Sequence, residues 1–173
     1  MASQPEVTVI IPNYNGRKLL ENCIQTLERQ TCTDFKLLVV DNGSDDGSTE
    51  VTSSLDLTML ALKENTGFCG AVNEGIRRAD TPYVILLNND TEVLPEFVEE
   101  LLAAIKKSDR IFSAGCTVFV RSQSRLVSSK YIVFYRLIGT VFHQRHMLVG
   151  RRMIYDIRSV ILKNLINTAC IAH

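Results

Sequence analysis

Polar side chains follow one apolar run of the sequence abruptly, where "VILLNNDTEV" leads from four apolar residues into Asn88, Asn89 and Asp90. Carboxylate and amide oxygens are the ligands that Mg²⁺ and Mn²⁺ prefer. Asn and Asp also favour ordinary turns, because their side chains bond their own backbone. The segment alone therefore leaves two interpretations open, a turn or a metal site around Asp90.

Three other polar segments also follow apolar runs. They are "PNYNG" after residues 7–11, "DNGSDDGS" after residues 35–40 and "ENTGFCGAVNEG" after residues 57–62. Each alone is typical of a turn, and we expect Asp45 and Asp46 to shape a turn or cap the next helix. Because ligands of open α/β sheets bind beyond the carboxyl ends of the strands, the joint occurrence of the segments indicates one common site.

The elements that must position these segments alternate between strand and helix. Short β-branched and apolar runs predict five strands, at residues 7–11, 35–40, 57–62, 83–87 and 111–120. Apolar residues at helical spacing predict helices within residues 19–27, 69–79 and 95–107. Pro95 suits the first turn of the last helix, and Gly115 suggests a bulge or bend. The order predicts a three-layer α/β/α sandwich with a mostly parallel sheet.

The composition is that of a globular protein. The 173 residues are 46% hydrophobic and 22% charged, which suits one domain with a good core. The five cysteines are widely spaced and include no CxxC pair that would indicate a zinc or redox centre. Neither a signal peptide nor an uncharged run of membrane-spanning length is visible, so we expect a cytoplasmic location.

Charge divides the chain into two parts. Residues 1–120 contain 10 Lys and Arg against 18 Asp and Glu, a net charge of −8, whereas residues 121–173 contain 9 against 1, a net charge of +8. We therefore predict a domain at residues 1–120 and a basic, apolar tail at residues 121–173. A helix near the end of the tail either packs on the domain or contacts anionic lipid at the cytoplasmic face of a membrane. The tail has no nucleic-acid readout motif, so no nucleic-acid partner is expected.

Several common site motifs are absent from the sequence. The first strand is not followed by GxGxxG, and the chain contains no GxxxxGK[ST], GxSxG or HExxH. These absences argue against a dinucleotide fold, a P-loop, a hydrolase elbow and a zinc protease. A phosphate ligand would need another source of positive charge, which a divalent cation held by Asp90 could supply.

Four segments together carry a family resemblance. "VTVIIPNYNG", "LLVVDNGSDDGS", "ENTGFCGAVNEGI" and "YVILLNNDTEV" resemble, in this order, the nucleotide-sugar-binding half of family 2 inverting glycosyltransferases. The match covers about residues 5 to 120 and is similar to the rhamnosyltransferase-like branch. It implies the GT-A (nucleotide-diphospho-sugar transferase, Rossmann-like) fold and a role in cell-surface polysaccharide biosynthesis. It further implies transfer of a sugar, with inversion, from a nucleotide-diphosphate sugar to a glycan or lipid-linked acceptor.

The resemblance also implies residue roles. The nucleotide-sugar-binding residues would be Pro12, Tyr14, Asn15, Asp41, Asn65, Gly67, Asn73, Asn88 and Asn89. Asp41 would bond the base, while Asn65, Gly67 and Asn73 would lie near the ribose and diphosphate. Asp90 would coordinate Mn²⁺ or Mg²⁺ within a DxD-type motif. Two amides replace what are often carboxylates there, so this site is less anionic than a full DxD.

A catalytic base is not identified. The family uses an acid from an "ED" pair in its second half, and residues 121–173 contain only Asp156. We therefore assign no catalytic residue and expect the chain to end before its acceptor-site half. Two functions stay open, a glycosyltransferase or its donor-binding portion, and a non-catalytic GT-A protein that retains nucleotide binding or acts as an oligomeric scaffold. Apolar surfaces left by a missing acceptor half predict a homo-oligomer.

Overall fold

The protein alternates strands and helices over the residues that the computed structural model describes, 4–108, 111, 113–116 and 133–136. The strands are β1 (Val7–Asn13), β2 (Lys36–Asp41), β3 (Leu57–Ala61), β4 (Tyr83–Leu86), β5 (Ser113–Gly115) and β6 (Val133–Arg136). The helices are α1 (Arg17–Leu27), α2 (Gly67–Arg78) and α3 (Phe97–Lys106), with a short 3-10 helix at Ser48–Glu50.

The strands form a mostly parallel sheet. Over the described residues it has six strands in the order β3-β2-β1-β4-β6-β5. β1 pairs in parallel with β2 and with β4, and β2 pairs in parallel with β3. β6 runs antiparallel to both β4 and β5. Because the register pairs Asn13 with Asp41, the last residues of β1 and β2 are neighbours at the carboxyl edge of the sheet.

The core lies on both faces of the central strands. All residues of β1 except Pro12, and all residues of β2 except Lys36, are buried, as expected for parallel strands covered on both sides. Each helix contributes an apolar stripe, such as Leu20, Ile24 and Leu27 on α1. In α2, Gly75 lets the helix approach β1, because a β-carbon there would collide with the side chain of Ile10. The predicted α/β fold class is confirmed.

The ends of several elements differ from the sequence predictions. The helix predicted from Pro95 begins at Phe97, because the Pro95 carbonyl accepts a hydrogen bond from the Thr31 amide at 2.9 Å outside the helix. Within the described residues the fifth strand comprises Ser113–Gly115, and Gly115 pairs with Val133 in the regular register rather than forming a bulge. Residues 112 and 117–120 of that prediction lie outside the described part of the chain. Strand β6 was not predicted, since its sequence lacks a sustained period.

The predictions for the tail remain largely open. Its final helix and Asp156 lie outside the described residues, and the division of the chain at residue 120 stays a prediction. Residues 133–136, which the prediction placed in the tail, pair with β4 and β5 in the sheet. Among the helices that the structure describes, none combines the length and the hydropathy required to cross a membrane.

Polar side chains of α1 and the residues after it hold the connection between β4 and α3. Thr26 Oγ1 accepts a hydrogen bond from the Val93 amide at 3.1 Å. Gln30, only 5% exposed, donates from Nε2 to the Leu94 carbonyl at 2.7 Å and accepts from the Val98 amide at 3.0 Å. Because the N-cap of α3 makes no side-chain bond of its own, Gln30 satisfies one of the free amides of that helix. The segment that contains Asp90 is thereby held along α1.

Replacing Gln30 with Ala should destabilise the protein. The change removes the donor of the Leu94 carbonyl and leaves the buried Val98 amide without its acceptor, which costs about 1–3 kcal/mol. Urea unfolding followed by circular dichroism measures the loss. Gln25→Ala on the exposed face of α1 is the matched control and should change stability by less than about 0.5 kcal/mol. Equal effects of the two substitutions would contradict the assignment.

Candidate functional site

The carboxyl ends of β1, β2 and β4 meet around a buried amide. Asn13, at the end of β1, is 2% exposed. Its Nδ2 donates to Asp41 Oδ1 at 3.1 Å, and its Oδ1 accepts from Asn89 Nδ2 at 2.7 Å. Three of the four polar segments that the sequence placed at this edge are therefore directly bonded to one another through side chains.

Asp41 is held from a second direction by the loop that follows it. Its carboxyl group is in a residue only 1% exposed, and Oδ2 accepts from the Ser44 amide at 2.9 Å. Ser44 Oγ accepts from the amide of Asn15 at 2.9 Å. Asn15 adopts a left-handed backbone, with φ of 47°, and its Oδ1 accepts from the Asp45 amide at 3.0 Å. The loops after β1 and β2 are thus joined beside Asp41.

The other residues predicted beside Asp41 lie in the same region. Pro12 is a partly buried residue of β1, paired in register with Val40. Tyr14 follows directly after β1 and is 50% exposed, so an aromatic ring is accessible next to the loop of Asn15. The structure thereby brings Asn15 and Asp41 together through Ser44, with Tyr14 at the adjacent surface.

Asn42 is a site residue that the sequence reasoning missed. It is 4% exposed, donates from Nδ2 to Asn65 Oδ1 at 2.9 Å, and accepts from the Thr66 amide at 2.9 Å. Its own amide donates to the Asn13 carbonyl at 2.8 Å. Asn42 therefore anchors the start of α2 to the ends of β1 and β2. The sequence did not predict this role, because Asn before Gly, as in "DNG", is typical of a simple turn.

The start of α2 has open space beside Gly67. Gly67 has φ of 76°, and a β-carbon there would have nothing within 4 Å. Asn65 Oδ1 accepts from the Gly67 amide at 2.8 Å, which shapes the turn into the helix. Six residues further along α2, Asn73 Oδ1 is the buried side-chain oxygen or nitrogen, among the residues described, that lacks a hydrogen-bond partner. An unpaired buried acceptor is uncommon and suits a position that a ligand donor completes.

Asn88, Asn89 and Asp90, in the turn after β4, have different surroundings. The Asn88 carbonyl accepts from the Thr91 amide at 3.2 Å and from the Cys23 thiol at 3.7 Å. Asn89 is directed to Asn13, and Gly16 permits this contact because a β-carbon there would collide with Asn89 Nδ2. Asp90 is exposed. In this turn the amide of Asn89 is therefore hydrogen-bonded within the site, while the carboxylate of Asp90 is exposed.

Asp46 has the structural role that the sequence predicted. Its Oδ2 accepts from the Arg17 amide at 2.8 Å, and its Oδ1 accepts from the Ser48 amide at 3.0 Å. The Ser48 hydroxyl, followed by the Arg17 amide, holds the pKa of Asp46 below its ordinary value. The prediction of a turn or cap is confirmed, except that the capped α-helix is α1, which precedes Asp46 in the chain.

A metal at this edge would depend on the donor as well as on the protein. The described residues contain no group of three His, Cys, Asp or Glu that could hold an ion. Mg²⁺ in phosphate sites is commonly bound through one or two carboxylates together with substrate phosphates and water. A single exposed carboxylate, Asp90, fits a cation that arrives with a diphosphate rather than a dedicated protein cage.

The sheet and the polar groups at its carboxyl edge define a GT-A protein, and solved structures agree. The fold is similar to Staphylococcus aureus TarS 1–349 in complex with UDP-GlcNAc, with a TM-score of 0.55, 25% identity and coverage of 58% of this chain and 31% of that one. It is also similar to the mannosyltransferase PcManGT from Pyrobaculum calidifontis in complex with GDP-Man and Mn²⁺. There the TM-score is 0.64, with 21% identity over 78% of this chain and 45% of that one, which supports the fold alone.

The sequence comparisons identify the family. The sequence model of Glycosyl transferase family 2 matches residues 8–161, so the chain belongs to this family and the predicted resemblance is confirmed. Glycosyltransferase GlyA of Streptococcus pneumoniae is 26% identical over 84% of this chain and 20% of its own length. Validoxylamine A glucosyltransferase of Streptomyces hygroscopicus subsp. jinggangensis is 34% identical over 58% of this chain and 25% of its own length. The chain spans a quarter or less of these two relatives.

The Cys23 thiol should be unreactive in the folded protein. Burial, reinforced by the negative charge of Asp90, raises the pKa of Cys23 to about 12. At about pH 8.5 we expect iodoacetamide to modify native Cys23 about a hundredfold or more slowly than in urea, because the thiolate is the reactive form. Mass spectrometry of the alkylated peptides measures this, and the partly exposed Cys32 is the control within the same chain. Equal alkylation rates with and without urea would contradict the burial of Cys23 beneath the turn after β4.

Proposed function

We propose that this chain binds a nucleotide-diphosphate sugar at the carboxyl edge of its sheet and serves a glycosyltransferase that inverts the anomeric centre. The observation that carries the proposal is Asp41, a buried carboxyl group held by donors on both oxygens at the meeting point of the strand ends. Support also comes from the family, and from UDP-GlcNAc in the TarS structure.

Asp41 forms the base end of the proposed site. Each of its oxygens accepts one described side-chain or loop donor, and a carboxylate oxygen has capacity for a further hydrogen bond. We propose that this capacity takes an N–H of the nucleotide base. Tyr14, half exposed, would pack against the base or ribose, while Pro12 and Asn15 shape the wall beside it.

The diphosphate end lies at the start of α2 and at the turn after β4. Asn65 and Gly67 form the open turn into the helix, and the unpaired Asn73 Oδ1 would accept from a ribose hydroxyl. Asn88 would approach the ribose or the diphosphate, and Asp90 would hold Mn²⁺ or Mg²⁺. A bound cation would neutralise the charge that gathers on the leaving diphosphate as the sugar bond breaks.

The finer assignments follow from the sequence. "VDNGSDDGS" and "LNNDT" resemble the rhamnosyltransferase-like branch of the family. On this resemblance we propose a donor of the kind that rhamnosyltransferases use, a glycan or lipid-linked acceptor, and a role in cell-surface polysaccharide biosynthesis. A cytoplasmic location with peripheral membrane contact is proposed from the +8 charge of residues 121–173. A homo-oligomer is proposed from the apolar residues in the sequence of the same segment.

A second function is favoured by one observation, the single acid in residues 121–173. An inverting transfer needs a general base near the acceptor hydroxyl, and the sequence offers no acidic pair for this role in that segment. A non-catalytic chain that retains nucleotide binding, or acts as an oligomeric scaffold, is therefore the alternative. Transfer of sugar from a bound donor, measured as release of nucleoside diphosphate with an acceptor present, separates the two.

Replacing Asp90 with Ala should abolish the contribution of Mn²⁺ to donor binding. Calorimetry with UDP-, GDP- and dTDP-sugars identifies the donor, and affinity for it is then measured with Mn²⁺ and with EDTA. In Mn²⁺ we expect Asp90→Ala to bind at least about tenfold more weakly, because a charged ligand bond is lost. In EDTA the variant and the wild type should agree within about threefold.

Asp56→Ala is the matched control for Asp90→Ala. Asp56 is an exposed acid just before the amino end of β3, at the opposite edge of the sheet. It should leave donor affinity unchanged in both buffers. Full Mn²⁺ dependence in the Asp90→Ala protein would remove Asp90 from the proposed metal site.

Replacing Asp41 with Asn should weaken donor binding in both buffers. The substitution preserves volume but changes an acceptor into a group that also donates, and hydrogen bonds to charged groups contribute about 1.5–3 kcal/mol. We therefore expect at least about a tenfold loss of affinity in each of the two buffers. Circular dichroism checks that the variant is folded, and Asp56→Asn is the control. Unchanged affinity in Asp41→Asn would place the base elsewhere.

A further inference from the structure

Three side chains form a continuous hydrogen-bonded series across the site, which we call the amide chain: Asn89, Asn13 and Asp41. Asn89 Nδ2 donates to Asn13 Oδ1 at 2.7 Å, and Asn13 Nδ2 donates to Asp41 Oδ1 at 3.1 Å. The series begins in the turn that contains Asp90 and ends at the carboxyl group of the proposed base subsite. It therefore joins the two ends of the donor site through one buried residue.

The direction of the amide chain is set by chemistry. A carboxylate oxygen only accepts, so Asn13 must present its NH₂ group to Asp41. Its carbonyl oxygen then faces Asn89, which must donate. Because Asn13 is 2% exposed, water cannot replace either partner without opening the edge of the sheet. A displacement of Asp41 is thus transmitted to Asn89, and a displacement of Asn89 is transmitted to Asp41.

The backbone beside the amide chain is adapted to it. Gly16 lies against both amides, and a β-carbon at this position would collide with Asn89 Nδ2 and lie 2.9 Å from Asn13 Oδ1. The φ of Gly16 is −125°, which any residue can adopt, so the glycine is required by space and not by backbone strain. The side chain of Asn89 thereby reaches Asn13 without obstruction.

We propose that Asn13 is a positioning residue that couples recognition of the nucleotide base to the metal and diphosphate end of the site. Asn89 acts in this series through Asn13 and not as a direct ligand of the donor. The inference rests on the proposed function, because it assigns Asp41 and Asp90 to the two ends of one donor. Its consequence is that a change at one end of the amide chain alters binding at the other.

Two cross-effects test the coupling. Calorimetry first measures the nucleoside monophosphate of the preferred base, chosen among UMP, GMP and dTMP, in EDTA. Asn89→Ala should weaken this metal-free binding at least about threefold, although Asn89 lies on the turn of Asp90. The second measurement is the factor by which Mn²⁺ strengthens binding of the matching nucleoside diphosphate. Asn13→Ala should lower that factor at least about threefold, because it removes the acceptor of Asn89 together with the bond to Asp41. Circular dichroism confirms that both variants are folded.

Further variants distinguish coupling from a local defect. Gly16→Ala keeps both amides but displaces Asn89, and it should reproduce the effects of Asn89→Ala. The double variant Asn13→Ala/Asn89→Ala should be within about twofold of Asn13→Ala alone, because the two residues act as a unit. Asn22→Ala, at an exposed position of α1, is the control and should change neither quantity.

The outcomes separate this inference from the proposed function. If the wild type binds the nucleotides but Asn89→Ala keeps full affinity for the monophosphate and Asn13→Ala keeps the full Mn²⁺ factor, the coupling is overturned alone. If the wild type binds none of UDP, GDP and dTDP, the proposed function fails and the inference fails with it. Weaker monophosphate binding in Asn89→Ala and Gly16→Ala, together with a lower Mn²⁺ factor in Asn13→Ala, establishes the coupling.

Discussion

The candidate site depends on keeping the carboxyl group of Asp41 buried at the end of β2. A buried group of this kind is costly unless donors surround it. Asn13 and Ser44 supply those donors, one from the neighbouring strand and one from the loop that follows. Satisfying one carboxyl group therefore fixes the end of β1 and the loop after β2. The parallel register makes this arrangement available, because it sets the last residue of β1 beside the last residue of β2.

Amides extend the same arrangement to the other loops. An amide donates and accepts at once, so Asn13 can bond Asp41 and Asn89, and Asn42 can bond Asn65 and the Thr66 amide. A carboxylate at position 89 could only accept, and it would face the carbonyl oxygen of Asn13. This accounts for an amide inside a turn where the family often has acidic residues. Asp90 then remains as the exposed carboxylate of the turn.

Much of the fold could be predicted from the sequence, while the elements governed by distant contacts could not. Buried strands such as β1 and β2 are apolar throughout, and this local signal needs no partner to be recognised. The start of α3 depends on Gln30 and Thr31, about 65 residues earlier in the chain, which hold the preceding residues outside the helix. Strand β6 has four residues and forms through pairing with β4 and β5, so its own sequence carries little signal.

The sequence by itself determined which residue types stand at the carboxyl ends of the strands, because strand periodicity and turn chemistry are local properties. It therefore placed Asp41, Asn65 and Asp90 at one edge of the sheet and indicated the family. Only the tertiary structure decided how these groups are connected. No role was assigned to Asn13 or Asn42 from the sequence, because their place in the candidate site arises from bonds to side chains 23 to 76 positions away in the chain. Hydrogen-bond direction between such distant groups is set by three-dimensional packing, which residue spacing alone does not encode.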